Sequence, residues 1–117
     1  MPAIDPKTWN SLRALEAAGA PGFLQDLVRE FLATVPDRLS KVKLALQNGD
    51  DDALEREAHA FKSSCGALGA MSAAGAHDEL ETLGREKRAS EGAAPLAALE
   101  RDLDEACGEL RTAVELP

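Results

Sequence analysis

Apolar residues recur at intervals of three and four through most of this 117-residue chain. Such spacing places side chains on one face of an α-helix, and no segment shows the period-two alternation that is typical of a β-strand. The longest apolar stripe comprises Phe23, Leu24, Leu27, Val28, Phe31, Leu32, Val35, Leu39, Val42 and Leu46. A C-terminal stripe comprises Leu96, Leu99, Leu103, Ala106, Leu110 and Val114. The chain is therefore predicted to be all-α.

Capping residues, glycines and prolines divide these stripes into helices. Asp5-Pro6 predicts the start of a short first helix that ends at Gly19. Pro36 predicts a kink or a break in the next helix, because proline removes a backbone hydrogen bond. Four longer helices are expected over about residues 22–48, 51–68, 72–88 and 95–114.

Short connections between long amphipathic helices favour antiparallel neighbours. We therefore expect one domain over residues 1–117, an antiparallel four-helix bundle with a short additional N-terminal helix and a proline-kinked long helix.

The charge balance narrows the classes of partner. The 13 basic and 21 acidic residues give a formal net charge of −8, which argues against binding to nucleic acid or to an anionic membrane. No apolar run approaches the 18 residues of a membrane span, and we expect no signal peptide. Cys65 and Cys107 fall on apolar faces, where buried thiols are expected rather than a disulfide. These features predict a cytoplasmic monomer.

The helix expected over residues 51–68 has a buried side and a polar side. Its apolar seam comprises Leu54, Ala58, Phe61, Cys65 and Leu68. His59 lies off this seam, and Lys62, Ser63 and Gly66 follow it by three, four and seven residues, which keeps them on its side of the helix. An imidazole, an ammonium, a hydroxyl and an open glycine position suit a nucleophile that accepts an anionic group from another macromolecule.

The motif His-x-Phe-Lys-Ser-Ser-x-x-x-Leu-Gly-Ala, which begins at His59, resembles the signature of histidine-containing phosphotransfer (Hpt) domains. Ser63 stands where the family commonly has glycine. The resemblance covers about residues 22–115. Its flanking matches are Phe31-Leu32, Pro36, Leu39, Leu46 and Gly49-Asp50 upstream, and Leu80-Glu81 and Gly84-Arg85 downstream.

This resemblance implies a phosphorelay intermediate of two-component signalling. A receiver domain of a hybrid histidine kinase or of a response regulator would donate its aspartyl phosphate to a histidine of this chain, and another receiver domain would accept it. The chain would be a phosphocarrier rather than an enzyme. It would need no cofactor, because the receiver would bring Mg²⁺. No glycine-rich ATP-binding loop is present, so self-phosphorylation from ATP is not expected.

The resemblance also implies roles for individual residues. His59 would be the phosphoacceptor, and Lys62 and Ser63 would support the phosphoryl group by charge and by hydrogen bonding. Gly66 and Glu55 would belong to the face on which the receiver docks. Glu55, one turn before His59, is also expected to orient the imidazole ring.

Two rival readings remain open. One is a non-catalytic helical adaptor that binds a partner without phosphate. The other is a metal site built from Glu55, His59, His77 and Glu81, which is disfavoured because metal sites in bundles use Glu-x-x-His pairs that project inward. We therefore expect no metal. Ser64 is expected to be a packing residue, and His77 an ordinary residue near the bundle surface.

Overall fold

The computed structural model describes residues 3–116 and is built from helices, with no strand in that range. The helices are α1 (Pro6–Ala17), α2 (Phe23–Gln47), α3 (Asp51–Ala67), α4 (Met71–Arg85) and α5 (Ala93–Ala113), and a 3₁₀ turn at Ala89–Glu91 precedes α5. Helix α3 packs on α2 and α4, and α5 packs on the same two helices. The prediction of an all-α four-helix bundle with an extra N-terminal helix is confirmed.

The helix starts follow the capping residues. The side chain of Asp5 accepts a hydrogen bond from the amide of Thr8 at 3.1 Å, and that of Asp50 accepts one from Ala53 at 3.0 Å. These carboxylates satisfy amides that have no partner inside the first helical turn. Helix α4 ends three residues before the predicted boundary at residue 88, and Lys87 adopts a left-handed φ of 60° just beyond it.

Pro36 does not break α2, which runs through it as one helix of 25 residues. Phe31, five residues before the proline, and Val42, six residues after it, are both buried in the core. Burial on both sides offsets the loss of one backbone hydrogen bond, because tertiary packing supplies most of the stability of a helix. The predicted alternative of a broken helix is therefore wrong.

The bundle core contains the apolar seam of α3. Leu54, Ala58, Phe61 and Cys65 are fully buried, as the sequence predicts, and this rotation turns His59 outward. Cys65 and Cys107 are buried free thiols. Burial raises the pKa of Cys65 to about 12, so this thiol stays protonated and unreactive. Within residues 3–116, no helix has both the length and the apolar character required to cross a membrane.

The backbones of helices α3 and α4 come into close contact at Gly84. A Cβ atom at this position would lie 2.7 Å from the carbonyl oxygen of Asp51 and from the amide nitrogen of Glu55. Because such distances are too short for a side chain, glycine permits this contact between the two backbones. The contact fixes how α4 sits against α3 and brings the turn of α4 that precedes Gly84 beside the exposed side of α3.

Candidate functional site

His59 lies on the exposed side of α3 with one ring nitrogen already engaged. Its side chain is 62% exposed, and its Nδ1 is 2.8 Å from Oε1 of Glu81 on α4. A carboxylate only accepts hydrogen bonds, so Nδ1 carries the ring proton. The other nitrogen, Nε2, then keeps its lone pair. The hydrogen bond at Nδ1 therefore leaves Nε2 as the ring nitrogen that faces away from Glu81 and can act as a nucleophile.

Glu81 is the centre of a cluster of three basic side chains. Its side chain is only 7% exposed, and it accepts hydrogen bonds from His59, from Nζ of Lys62 and, at 3.3 Å, from Nη2 of Arg85. Burial alone would raise the pKa of Glu81, but the hydrogen bonds from Lys62 and His59 outweigh it and hold this pKa below its ordinary value of 4.5. Glu81 is therefore ionised at neutral pH.

The prediction that Glu55 orients the His59 ring is wrong. Oε2 of Glu55 accepts a hydrogen bond from Nε of Arg85 at 3.0 Å, whereas Glu81 holds the ring. Glu55 shares a helix with His59, and the carboxylate that reaches Nδ1 comes from α4 across the contact at Gly84. The sequence marked Glu81 only as a flanking match of the motif and as a member of a disfavoured metal site.

Lys62 is placed beside His59 as predicted, but α4 holds its ammonium. Nζ of Lys62 donates to Glu81 and to Oδ1 of Asp78, the latter at 3.1 Å. These two hydrogen bonds, that of Glu81 being the stronger influence, raise the pKa of Lys62 above its ordinary value. Lys62 is thus a permanent cation in the site. Sequence reasoning did not identify Asp78, because nothing in the local pattern connects it to α3.

Ser63 and Gly66 lie on the His59 side of α3, as the helical spacing predicts. Ser63 is exposed, and its hydroxyl donates to the main-chain oxygen of His59 at 3.2 Å. A Cβ atom at Gly66 would meet nothing within 4 Å, so the surface there is open. Ser64 is half-buried, in agreement with its expected packing role.

His77 is fully buried, so its predicted place near the bundle surface is wrong. Its ring centroid lies 4.3 Å from that of Phe61, and neither ring nitrogen has a hydrogen-bond partner among the described residues. Burial, with a smaller effect from the charge of Lys62, lowers the pKa of His77 to about 4. His77 is a neutral core residue. Residues 3–116 hold no cluster of three or more histidine, cysteine or acidic side chains arranged to bind a metal.

The buried His77 predicts an acid-sensitive fold. Its pKa of about 4 in the folded state lies below the ordinary 6.5, so the unfolded chain binds the proton first and stability is lost as the pH falls from 6.5 towards 4. Between pH 7.5 and pH 5.0 we expect a loss of about 2 kcal/mol, at about 1.4 kcal/mol per pKa unit. Urea unfolding at both values measures it. His77→Leu should remove most of this difference, and an unchanged pH dependence in that variant would contradict the assignment.

The chain matches one family of known proteins. The family model described as "Hpt domain" matches residues 26–113, which is more than half of the chain. No curated protein matches the chain significantly.

Two solved structures share the fold. The histidine-containing phosphotransfer protein B of Pseudomonas aeruginosa superposes with a TM-score of 0.84 at 27% identity, over 96% of this chain and 94% of that one. The maize histidine-containing phosphotransfer protein ZmHP2 superposes with a TM-score of 0.87 at 20% identity, over 97% of this chain and 83% of that one.

Proposed function

Because the chain belongs to the Hpt domain family, we propose that it is a phosphorelay intermediate of two-component signalling. His59 accepts a phosphoryl group from one receiver domain and passes it to another. One observation carries the assignment to His59. Its side chain is exposed, while the buried carboxylate of Glu81 binds Nδ1 and thereby leaves Nε2 as the nucleophile. The other histidine, His77, is enclosed in the core and out of reach of a partner protein.

The transfer step follows from this tautomer. The lone pair of Nε2 attacks phosphorus in the aspartyl phosphate of a receiver domain, the bond between phosphorus and the acyl oxygen breaks, and its electron pair leaves with the aspartate carboxylate. The proton stays on Nδ1, so the phosphorylated ring becomes cationic. Glu81 stabilises that positive charge through the 2.8 Å hydrogen bond. Transfer to the next receiver is the reverse of this step.

Lys62 and Ser63 have supporting roles in the proposal. The Lys62 ammonium donates to the same Glu81 carboxylate as the His59 ring, and its positive charge offsets the negative charge of the phosphoryl group. The exposed hydroxyl of Ser63 is one turn from His59 and can rotate from its main-chain partner to a phosphoryl oxygen. The receiver supplies Mg²⁺ and most of the catalytic groups, so the chain is a phosphocarrier. Its proposed partners are a hybrid histidine kinase and response-regulator receivers. The proposed location is the cytoplasm, where cysteines such as the two buried ones of this chain stay as free thiols.

A transfer assay tests the function. The purified chain is incubated with a panel of receiver domains that carry labelled aspartyl phosphate, and label on the chain is measured. We expect label that is stable in alkali and labile in acid, as a phosphoramidate is. A chain that binds receivers but never takes label from any of them would instead be the non-catalytic adaptor.

The open surface at Gly66 predicts a steric effect on docking. Gly66→Gln should weaken receiver binding and slow transfer, because the new side chain projects from the His59 side of α3. Stability should hold or rise by up to about 1 kcal/mol, since glycine is a poor helix former. Thermal unfolding and transfer kinetics measure the two effects.

Gly108→Gln is the matched control for this variant. Gly108 lies inside α5, and a Cβ atom there also meets nothing within 4 Å. The Gly108→Gln variant should gain the same helix propensity, and it should transfer phosphate at the parental rate. If folded Gly66→Gln transfers as fast as Gly108→Gln, the receiver docks elsewhere.

A further inference from the structure

The two anionic partners of Lys62 differ in their contact with solvent. The side chain of Glu81 is 7% exposed, and that of Asp78 is 66% exposed. Exposed ion pairs contribute little free energy and separate easily in water. Separating a cation from a carboxylate that is almost completely buried costs more than separating it from an exposed one, although Arg85 also donates to Glu81. Lys62 is thus bound firmly to Glu81 and loosely to Asp78.

The structure points to Asp78 as a positioning residue that competes with the phosphoryl group of His59 for the Lys62 ammonium, an inference that rests on the proposed function. Lys62 and His59 bind the two oxygens of the same carboxylate, so the ammonium lies next to the imidazole. Before transfer, the 3.1 Å hydrogen bond to Asp78 occupies one face of that ammonium. A phosphoryl group on Nε2 brings two negative charges close to the Lys62 ammonium. Asp78 is the partner of Lys62 that can be displaced, because water can solvate its exposed carboxylate.

This competition sets how tightly the site holds a phosphoryl group. Asp78 stabilises Lys62 in the unphosphorylated protein and repels the anion in the phosphorylated one. It therefore favours transfer onward to a receiver over retention on His59. Glu81 favours retention of the phosphoryl group on His59, because it stays bonded to the imidazole ring before and after phosphorylation. Removing the charge of Asp78 should shift the equilibrium towards phosphorylated His59.

The equilibrium partition of phosphate tests the inference. The full chain is mixed with a receiver that phosphorylates it, at low ionic strength where exposed charges are least screened, and the ratio of phosphohistidine to aspartyl phosphate is measured. Asp78→Asn should raise this ratio roughly two- to fivefold, the range expected for one exposed ion pair. Glu79→Gln removes the same charge from the next, exposed residue of α4 and should change the ratio by clearly less.

A double variant separates the competition from a general charge effect. In a Lys62→Met background, Asp78→Asn should change the ratio no more than Glu79→Gln does, because the shared ammonium is gone. Thermal unfolding confirms that every variant is folded. Equal shifts from Asp78→Asn and Glu79→Gln, or an Asp78 effect that persists without Lys62, would overturn the inference while leaving the proposed function intact. A parental chain that takes up no phosphate would overturn both.

Discussion

His59→Gln is expected to abolish phosphoryl uptake from every receiver while the bundle remains folded. Glutamine keeps a polar side chain of similar size at an exposed position, but its amide has no nucleophilic nitrogen. The side chain of His59 is 62% exposed and makes no contribution to the core, so unfolding should change little. Transfer of label and circular dichroism measure the two outcomes on the same preparation.

Phosphate label that remains on the His59→Gln variant would contradict the assignment of His59 as the acceptor. If His59→Gln takes up alkali-stable, acid-labile phosphate, another nitrogen is the acceptor and the assignment fails. His77 is the remaining histidine of the chain, and its full burial leaves no path to a receiver without opening the bundle. Uptake that appears only under partly denaturing conditions would therefore indicate an opened protein.

Glu81→Gln is expected to slow phosphoryl transfer roughly 10- to 100-fold. The amide oxygen can still accept a hydrogen bond from Nδ1, but the negative charge that stabilises the cationic phosphorylated ring is lost. Hydrogen bonds to charged groups contribute about 1.5–3 kcal/mol, which corresponds to this range of rates. Single-turnover transfer from a phosphorylated receiver measures the change.

Glu86→Gln provides the matched control for that variant. It removes the same charge from an exposed carboxylate that pairs with Arg88 rather than with His59. We expect its transfer rate to remain within about threefold of the parent, in the range of an exposed ion pair. A Glu86→Gln defect as large as that of Glu81→Gln would show that the net charge of the protein, and not the carboxylate beside Nδ1, governs the reaction.

Local sequence determined the helices and the outward direction of His59. The seam Leu54, Ala58, Phe61 and Cys65 repeats at helical spacing, so it specifies which side of α3 is buried and therefore which side His59, Lys62 and Gly66 share. Capping by Asp5 and Asp50 is equally local, since each carboxylate binds an amide three residues ahead. The phosphotransfer motif lies entirely within α3 and its C-terminal joint, which is why one helix was enough to recognise it.

The tertiary structure alone decided which side chains meet across helices. Helical periodicity describes one helix and carries no information on how a neighbouring helix is rotated or shifted along it. The close contact at Gly84 sets that shift, so Glu81 rather than Glu55 reaches His59, and Asp78 reaches Lys62. The same packing buries His77, which lies on one face of α4 with Ala73 and Leu80. The position of the proposed phosphoacceptor His59 is thus specified by α3, and the charged side chains beside it come from the way α4 packs against α3.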